Sequence, residues 1–499
     1  MLGHWMVETD YRASVQHFVA GLSDYEHEIW CGKYRTYYHA LKRLRTDAAR
    51  DYLSCLYSHT GRPATNQCQI LLSFILMGRM GETSLTKWVE IVRTDRMIRA
   101  LIGVFGNDKP PVLGDYYHFI DRLWTQPWKE QLLGRRDTLP YNHNLRPTDK
   151  KPGKGNKWEE TRGTITEECE KLILSEKDFP QYYEVHMQQL FRILGLKPSQ
   201  AAGLLNGVDT ISGDGTCFHE FASPSGCRIG ECTCGHKEGD RCTCPRHFSD
   251  PSATWGYDSD EDIYYYGHTL YTLCVHNSDL AIDLPVHIRT ATARRHDSVT
   301  GLVALNEYFR VNPDISFSNL CLDSAHDNYP TYRLCQNFWH INPFIDLNIK
   351  RGRPTVIHET VTIESDGTPM CQAGKRMVFS GIDRSRNRCK YRCPYAAANQ
   401  DQNQCPCKGQ CSSSNYGRTV YTHPEWDIRL YTPVPRGTDA YKAVYNNRTS
   451  CERMNNRLLN DYHLHTWRGR TRKRLAFFST FAAINVHLDA QLKVLKDTA

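Results

Sequence analysis

Residues 440–462 read AYKAVYNNRTSCERMNNRLLNDY, with no proline or glycine to break a helix. Val444, Cys451 and Leu458 recur every seven residues, and Met454 and Tyr462 fill the same stripe. That spacing buries one helical face. Beside it runs a second stripe: Tyr445, Arg448, Glu452 and Asn456. It sets an aromatic, a guanidinium, a carboxylate and an amide along the border of a core. A planar guanidinium suits phosphate oxygens, and a carboxylate suits a hard divalent cation. The plainer alternative is an Arg448–Glu452 ion pair one turn apart, worth about 0.2–0.5 kcal/mol.

Cysteine offers a second chemistry. The chain has 20 cysteines, unevenly spread. One cluster holds Cys227, Cys232, Cys234, Cys242 and Cys244, with His236 and His247 close by. Another holds Cys389, Cys393, Cys405, Cys407 and Cys411, with Cys371 upstream. A long chain that opens without a basic-then-apolar leader favours metal binding or plain burial over a disulfide framework. Zinc wants four sulfur or nitrogen ligands in a tetrahedron, and paired cysteines around a loop can supply them. Reduced surface thiols, or disulfides formed after purification, are the alternatives.

Tyr445, Arg448 and Glu452 together spell Y-x2-R-x3-E. Upstream stand SGDGT, containing Asp214, and NLCLDSAHD, containing Asp323. In order and local context these motifs resemble the DDE transposases of bacterial insertion sequences. The resemblance implies that Asp214, Asp323 and Glu452 are the catalytic acids and the ligands of two Mg²⁺ or Mn²⁺ ions. It implies Tyr445 and Arg448 at the DNA phosphate near the cut. The family often has a lysine seven residues after the glutamate; here that position is Leu459, and Arg457 is the nearest cation. The chemistry is coherent. Phosphodiester cleavage must activate a water or a 3′-hydroxyl and stabilise a leaving oxygen, and two cations about 4 Å apart can do both. Taken singly, Asp214-Gly215 could be a hairpin turn and Asp323 a cap; Asp209, Asp327 and Asp346 are lesser candidates.

The implied function is a cut-and-paste transposase. It would bind terminal inverted repeats as a homodimer on paired ends, cleave, and join 3′-hydroxyls to target DNA. A nuclease on the same fold without strand transfer, or a domesticated zinc-containing DNA-binding protein, are the alternatives.

These residues need positioning elements. Residues 1–135 read as helices, including QILLSFILMGRM and a segment with Ser84 as its N-cap; in the resembled family such a region helps bind DNA ends. Residues 136–200 read as a basic linker and connecting helices, with Lys150, Lys151, Lys154 and Lys157 available to phosphates or simply solvated. From residue 208 the period becomes that of strands. VDTISGDGTCF, IYYYGHTLYTLCVH and DLPVHIRTATA precede a helix, and then come a strand ending on Asp323, a helix and a strand. Asp214 is expected to end the first strand. That order matches an α/β, ribonuclease-H-like core made of residues 201–350 and 441–499, a mixed sheet with flanking helices. Residues 351–440 read as a β-rich insertion with strand-like TVTIES, RMVFSG, RTVYT and IRLYTP, and Trp426 there could stack on a base. The net charge of +7 permits nucleic-acid binding. No apolar run approaches the roughly 18 residues of a membrane span. The expected location is cytoplasmic and nucleoid-associated, with no membrane partner.

Overall fold

The computed structural model describes residues 1–126, 165–176, 179, 182–237, 242, 244, 246–258, 261–348, 356–358, 361–396, 402–407, 410–467 and 469–497. The lysines at 150, 151, 154 and 157 lie outside the described residues.

A mixed sheet organises the chain. Its strands are β1 (Thr210–His219), β2 (Thr254–Asp258), β3 (Ile263–Asn277), β4 (Ile282–Thr292), β5 (Asn319–Leu322) and β6 (Asn342–Ile345). Strand β1 pairs antiparallel with β3 and parallel with β5, and β5 pairs parallel with β6. The far edge of β3 is shared: β2 lies along Ile263–Gly267 and β4 along His268–Asn277. The lateral order is therefore β4-β3-β1-β5-β6. Strand β3 has 15 residues, with Leu270, Tyr271, Leu273 and Cys274 all fully buried. Such a run, rich in β-branched and aromatic residues, requires cover on both faces.

The cover comes from helices. Helix α1 (Gln67–Arg79) is buried from Gln67 to Met77, as its ILLSFILM run, interrupted only by Ser73, demands. Helix α2 (Leu113–Arg122) packs beside it, and Ser84 does cap its helix by accepting from the Lys87 amide. Helix α3 (Asp297–Val311) lies on the sheet, as do α4 (Asp439–Tyr445) and α5 (Thr449–Asn456). Helix α6 (Arg472–Asp497) packs on both α1 and β4. Its Phe477 ring meets Phe74 edge-on at 4.6 Å, its Asn485 donates to the Ile75 carbonyl at 3.1 Å, and its His487 meets the Pro285 carbonyl at 2.7 Å. One apolar core consequently runs from Trp5 through Phe74 and Phe477 to Leu284 on the sheet.

Two excursions leave this body. A cysteine-rich insert joins β1 to β2, and its only regular pairing is the two-residue ladder of Cys227–Arg228 with Arg246–His247 among the described residues. Between β6 and α4 come two small three-stranded antiparallel sheets. The second of them has its own core of Met377, Cys389, Tyr391 and Val420. IRLYTP, expected as a strand, is instead a turn: the Asp427 carboxylate accepts from the Arg429 and Leu430 amides and curls the chain. Among the described residues no helix is long and apolar enough to cross a membrane.

Candidate active site

Side-chain alternation on β1 decides where Asp214 points. Ser212 and Asp214 pair with Cys274 and Thr272 of β3, and Ser212 pairs with Cys321 of β5. These residues share one face of the sheet. Helices α4 and α5, with the 3₁₀ turn between them, cross that face. Ser212 donates to the Asn447 carbonyl at 3.1 Å, Cys321 to the Val444 carbonyl at 3.3 Å, and the sulfurs of Cys274 and Cys451 approach to 2.7 Å. The predicted stripe is the buried one: Cys451, Met454 and Leu458 are fully buried. Continuing the β1–β5 register by two residues sets Asp323 beside Asp214, on the face beneath the helix that carries Glu452.

Asp214 does not end its strand. It is the fifth of ten residues, and neither it nor Gly215 forms a turn. The flanking glycines have a separate cause on the opposite face. A Cβ at Gly213 would lie 2.7 Å from the Tyr271 hydroxyl, and one at Gly215 would lie 2.5 Å from an Asp297 oxygen. The G-D-G triplet thus admits a crowded polar layer under the acid.

Asp323 follows the last residue of β5 and caps a 3₁₀ turn, accepting from the Ala325 amide at 3.1 Å. Its Oδ1 is also 2.5 Å from Nδ1 of buried His326, whose Nε2 meets the Tyr271 hydroxyl at 2.8 Å. The acid is held by a relay reaching back through the sheet. Burial works to raise the Asp323 pKa, but the hydrogen bond and charge of His326 pull it below the ordinary value. Asp214 has no such partner. Burial, then the charges of Asp297 and Asp323, push its carboxyl up to about 7, against relief from His326 and Arg448. His326 and Arg448 offset only part of the charge that Asp214, Asp297 and Asp323 crowd together, since Asp214 is still pushed up. Oxygen donors with unneutralised charge are the chemistry a hard divalent cation suits.

Glu452 sits on α5 but does not reach the two aspartates. Its carboxylate is 2.6 Å from the Arg448 guanidinium, and its side chain is half exposed. The charge of Arg448 acts on Asp214 and Asp323 as well. Among the described residues, no group of metal-ligating atoms within 4.8 Å of one another includes these acids. Tyr445 stacks on Tyr441 at 5.7 Å and donates to Asp346. Arg457 bonds Asp489 of α6 at 2.7 Å, a tie between helices. The lesser candidates have structural partners: Asp209 accepts from Asn319 and Thr210, and Asp327 is buried against Arg429. Trp426 meets Tyr431 edge-on at 5.5 Å.

Sequence reasoning passed over Asp297, His326 and Tyr271. His326 lies inside the NLCLDSAHD motif, three residues from Asp323, and that spacing was its signal. Asp297 reads as an ordinary first-turn acid of α3, and Tyr271 as one aromatic in a long strand. Only the fold brings them under Asp214.

The first cysteine cluster converges. Cys232, Cys234, Cys242 and His236 place one ligand atom each within 4.8 Å of the others, and Cys244 stands 3.7 Å from Cys232. Cys227 and His247 pair across the ladder and are outside that group. In the second cluster Cys389 belongs to the apolar core of its sheet. Cys411 lies within electrostatic reach of Cys393, Cys405 and Cys407, and the converging groups among the described residues do not include them.

At the base of the cysteine insert is a third buried group. His268 Nε2 is 2.7 Å from Asp250 and 3.7 Å from Glu220, all three side chains being buried. Burial, then the Asp250 charge, push the Glu220 carboxyl up to about 7, with His268 opposing. A carboxyl raised in the folded state stabilises the fold while protonated, and that contribution is lost as pH rises from about 4.5 towards 7. Glu220→Gln removes the titration. The variant should exceed the wild type in stability by about 2–3 kcal/mol near pH 8, and match it near pH 4.5. Urea denaturation at the two pH values measures the difference; equal stabilities near pH 8 would refute it.

Residues 370–488 match a family described as transposase DDE domain. The match covers just under a quarter of the chain and includes Tyr445, Arg448, Glu452 and Arg457, while Asp214 and Asp323 lie upstream. Over those residues the chain is similar to the DDE domain of transposases. No curated protein and no solved structure matches the chain.

Proposed function

We propose that the protein is a cut-and-paste DNA transposase with Asp214, Asp323 and Glu452 as its catalytic acids. One observation carries the reading: Asp214 and Asp323 meet on the sheet face crossed by the helix that bears Glu452. The strand order β4-β3-β1-β5-β6, three antiparallel strands followed by two parallel ones, supports the reading of a ribonuclease-H-like core. Asp214, Asp323 and Glu452 would hold two Mg²⁺ or Mn²⁺ ions, which when bound activate the attacking oxygen and stabilise the leaving one. The chain's own residues do the rest. Tyr271 and His326 fix Asp323. Arg448 holds Glu452 in the DNA-free state and passes to the phosphate near the cut when DNA arrives, freeing the carboxylate. The N-terminal helices of residues 1–135 engage the terminal inverted repeats, the residue 351–440 insertion lies beside the site, and a second copy assembles on the paired ends.

The test uses duplexes carrying the inverted repeats that flank the reading frame. With Mg²⁺ the purified protein should cut at the repeat and join the 3′-hydroxyl to a target duplex. Cutting without joining would identify a nuclease instead. Arg448→Ala should lower cleavage about 10–100-fold, the value of one charge-assisted hydrogen bond, while thermal stability stays near wild type. Unfolding without selective loss of cleavage would make Arg448 a packing residue.

A further inference from the structure

We propose that Cys232, Cys234, Cys242 and Cys244 form a tetrathiolate zinc site that closes the insert between β1 and β2. The Sγ–Sγ separations are 3.6 Å for Cys232–Cys234, 3.7 Å for Cys234–Cys242, 3.7 Å for Cys232–Cys244 and 3.8 Å for Cys232–Cys242. Four sulfurs each about 2.3 Å from one centre stand about 3.8 Å apart along the edges of a tetrahedron. A disulfide needs about 2.05 Å, and all four cysteines are free. The backbone amide of Thr233 points at the Cys244 sulfur at 3.3 Å, a donor aimed at an anionic ligand from the bend between the first two cysteines. His236 Nδ1 lies 3.3 Å from Cys232 and 3.2 Å from Cys234. His236 converges with Cys232, Cys234 and Cys242 as well, but its imidazole is exposed and would donate to the Cys232 and Cys234 sulfurs, while largely buried Cys244, 3.7 Å from Cys232 and facing the Thr233 amide, would supply the fourth ligand.

Among the described residues of the insert, hydrophobic packing does not gather these thiols. The insert's apolar contacts lie at its base, where Ala222, Ala253 and Tyr266 cluster, and its regular pairing is the two-residue ladder. A segment this poor in core residues folds on metal when it supplies the ligands. Cys227 and His247 remain in the ladder and outside the site. The zinc is structural: sulfur-bound metal with four protein ligands has no open position for a reacting oxygen. Its task is to hold the insert in one shape beyond the end of β1, the strand of Asp214.

Elemental analysis of the full-length protein purified under reducing conditions tests this, independently of any DNA reaction. Cys242→Ser should contain one zinc fewer per chain than the wild type, a difference from which any metal held by Cys393, Cys405, Cys407 and Cys411 cancels. Circular dichroism should show the rest of the fold intact. His236→Ala should keep its zinc, and cobalt exchanged into it should give the strong charge-transfer and ligand-field absorption of four thiolates. Should Cys242→Ser not fold, limited proteolysis of the wild type with and without a zinc chelator replaces it, and cleavage within residues 227–247 should appear only on chelation. Unchanged zinc in Cys242→Ser, loss of zinc in His236→Ala, or chelator-insensitive proteolysis would overturn the proposal.

Discussion

Asp214→Asn, Asp323→Asn and Glu452→Gln should each lower Mg²⁺-dependent cleavage of an end-containing duplex by about 10³-fold or more. Each change is nearly isosteric and removes one anionic oxygen. Continuing the β1–β5 register past Ser212–Cys321 sets Asp214 beside Asp323, so losing either removes one of the carboxylates a cation there would use. The aspartate variants should also differ from each other without metal. Asp214 is strained by its neighbours and pushed up to about 7, so Asp214→Asn should melt at or above the wild-type temperature. Asp323 accepts from His326 and the Ala325 amide, so Asp323→Asn should melt lower. Glu452 is half exposed on Arg448, and Glu452→Gln should leave the melting temperature within about a degree or two, since one exposed ion pair is worth little. Gel assays of cleavage, paired with thermal melts, read both effects. Wild-type cleavage by any one variant would remove that acid from the assignment.

Arg429→Ala should destabilise the protein by about 3–5 kcal/mol, the cost of stranding a buried charge. Asp327 has no exposed side-chain surface. Its carboxylate accepts from Arg429 Nε at 3.0 Å and Nη2 at 2.9 Å, and from the Asn348 amide at 2.8 Å. The pair fastens the returning end of the β insertion to the core, together with Arg436, which donates to the Ile345 carbonyl and to Tyr332. Arg429→Lys keeps the charge and loses the two-pronged geometry, so an intermediate loss is expected. Urea denaturation gives the size of both effects. A loss under about 1 kcal/mol in Arg429→Ala would show that Asp327 finds another partner or takes up a proton.

Much of this was legible in the chain because periodicity reports burial. The stripe of Cys451, Met454 and Leu458 announced which face of its helix meets the sheet, and the 15-residue β3 announced a strand covered on both sides. The mid-strand position of Asp214 was not legible. Asp-Gly favours turns, and only the crowding of Tyr271 and Asp297 on the far face explains the glycines. IRLYTP alternates like a strand but meets Asp427, whose carboxylate captures two amides that a ladder would need. The His326 relay and Asp297 depend on register between segments far apart in sequence. The sulfur tetrahedron depends on a loop path that spacing alone does not fix. The Arg448–Glu452 pair was legible from the start as the plain reading of its spacing, and it is present.

Helix α6 lies between the N-terminal helices and β4, and it supplies Phe477, Phe481 and His487 to their common core. During synthesis this matters, because a chain emerges at about 5–20 residues per second and its domains fold as their segments appear. Asp214 and Asp323 leave the ribosome on a sheet whose β4 side is still bare. Glu452 follows only after the whole β insertion, and the helix that seals the core comes after that. A nascent chain therefore carries the proposed acids on an unfinished scaffold until helix α6 has been made. A chain that stops before residue 472 lacks the helix that closes this core and should be open and protease-sensitive.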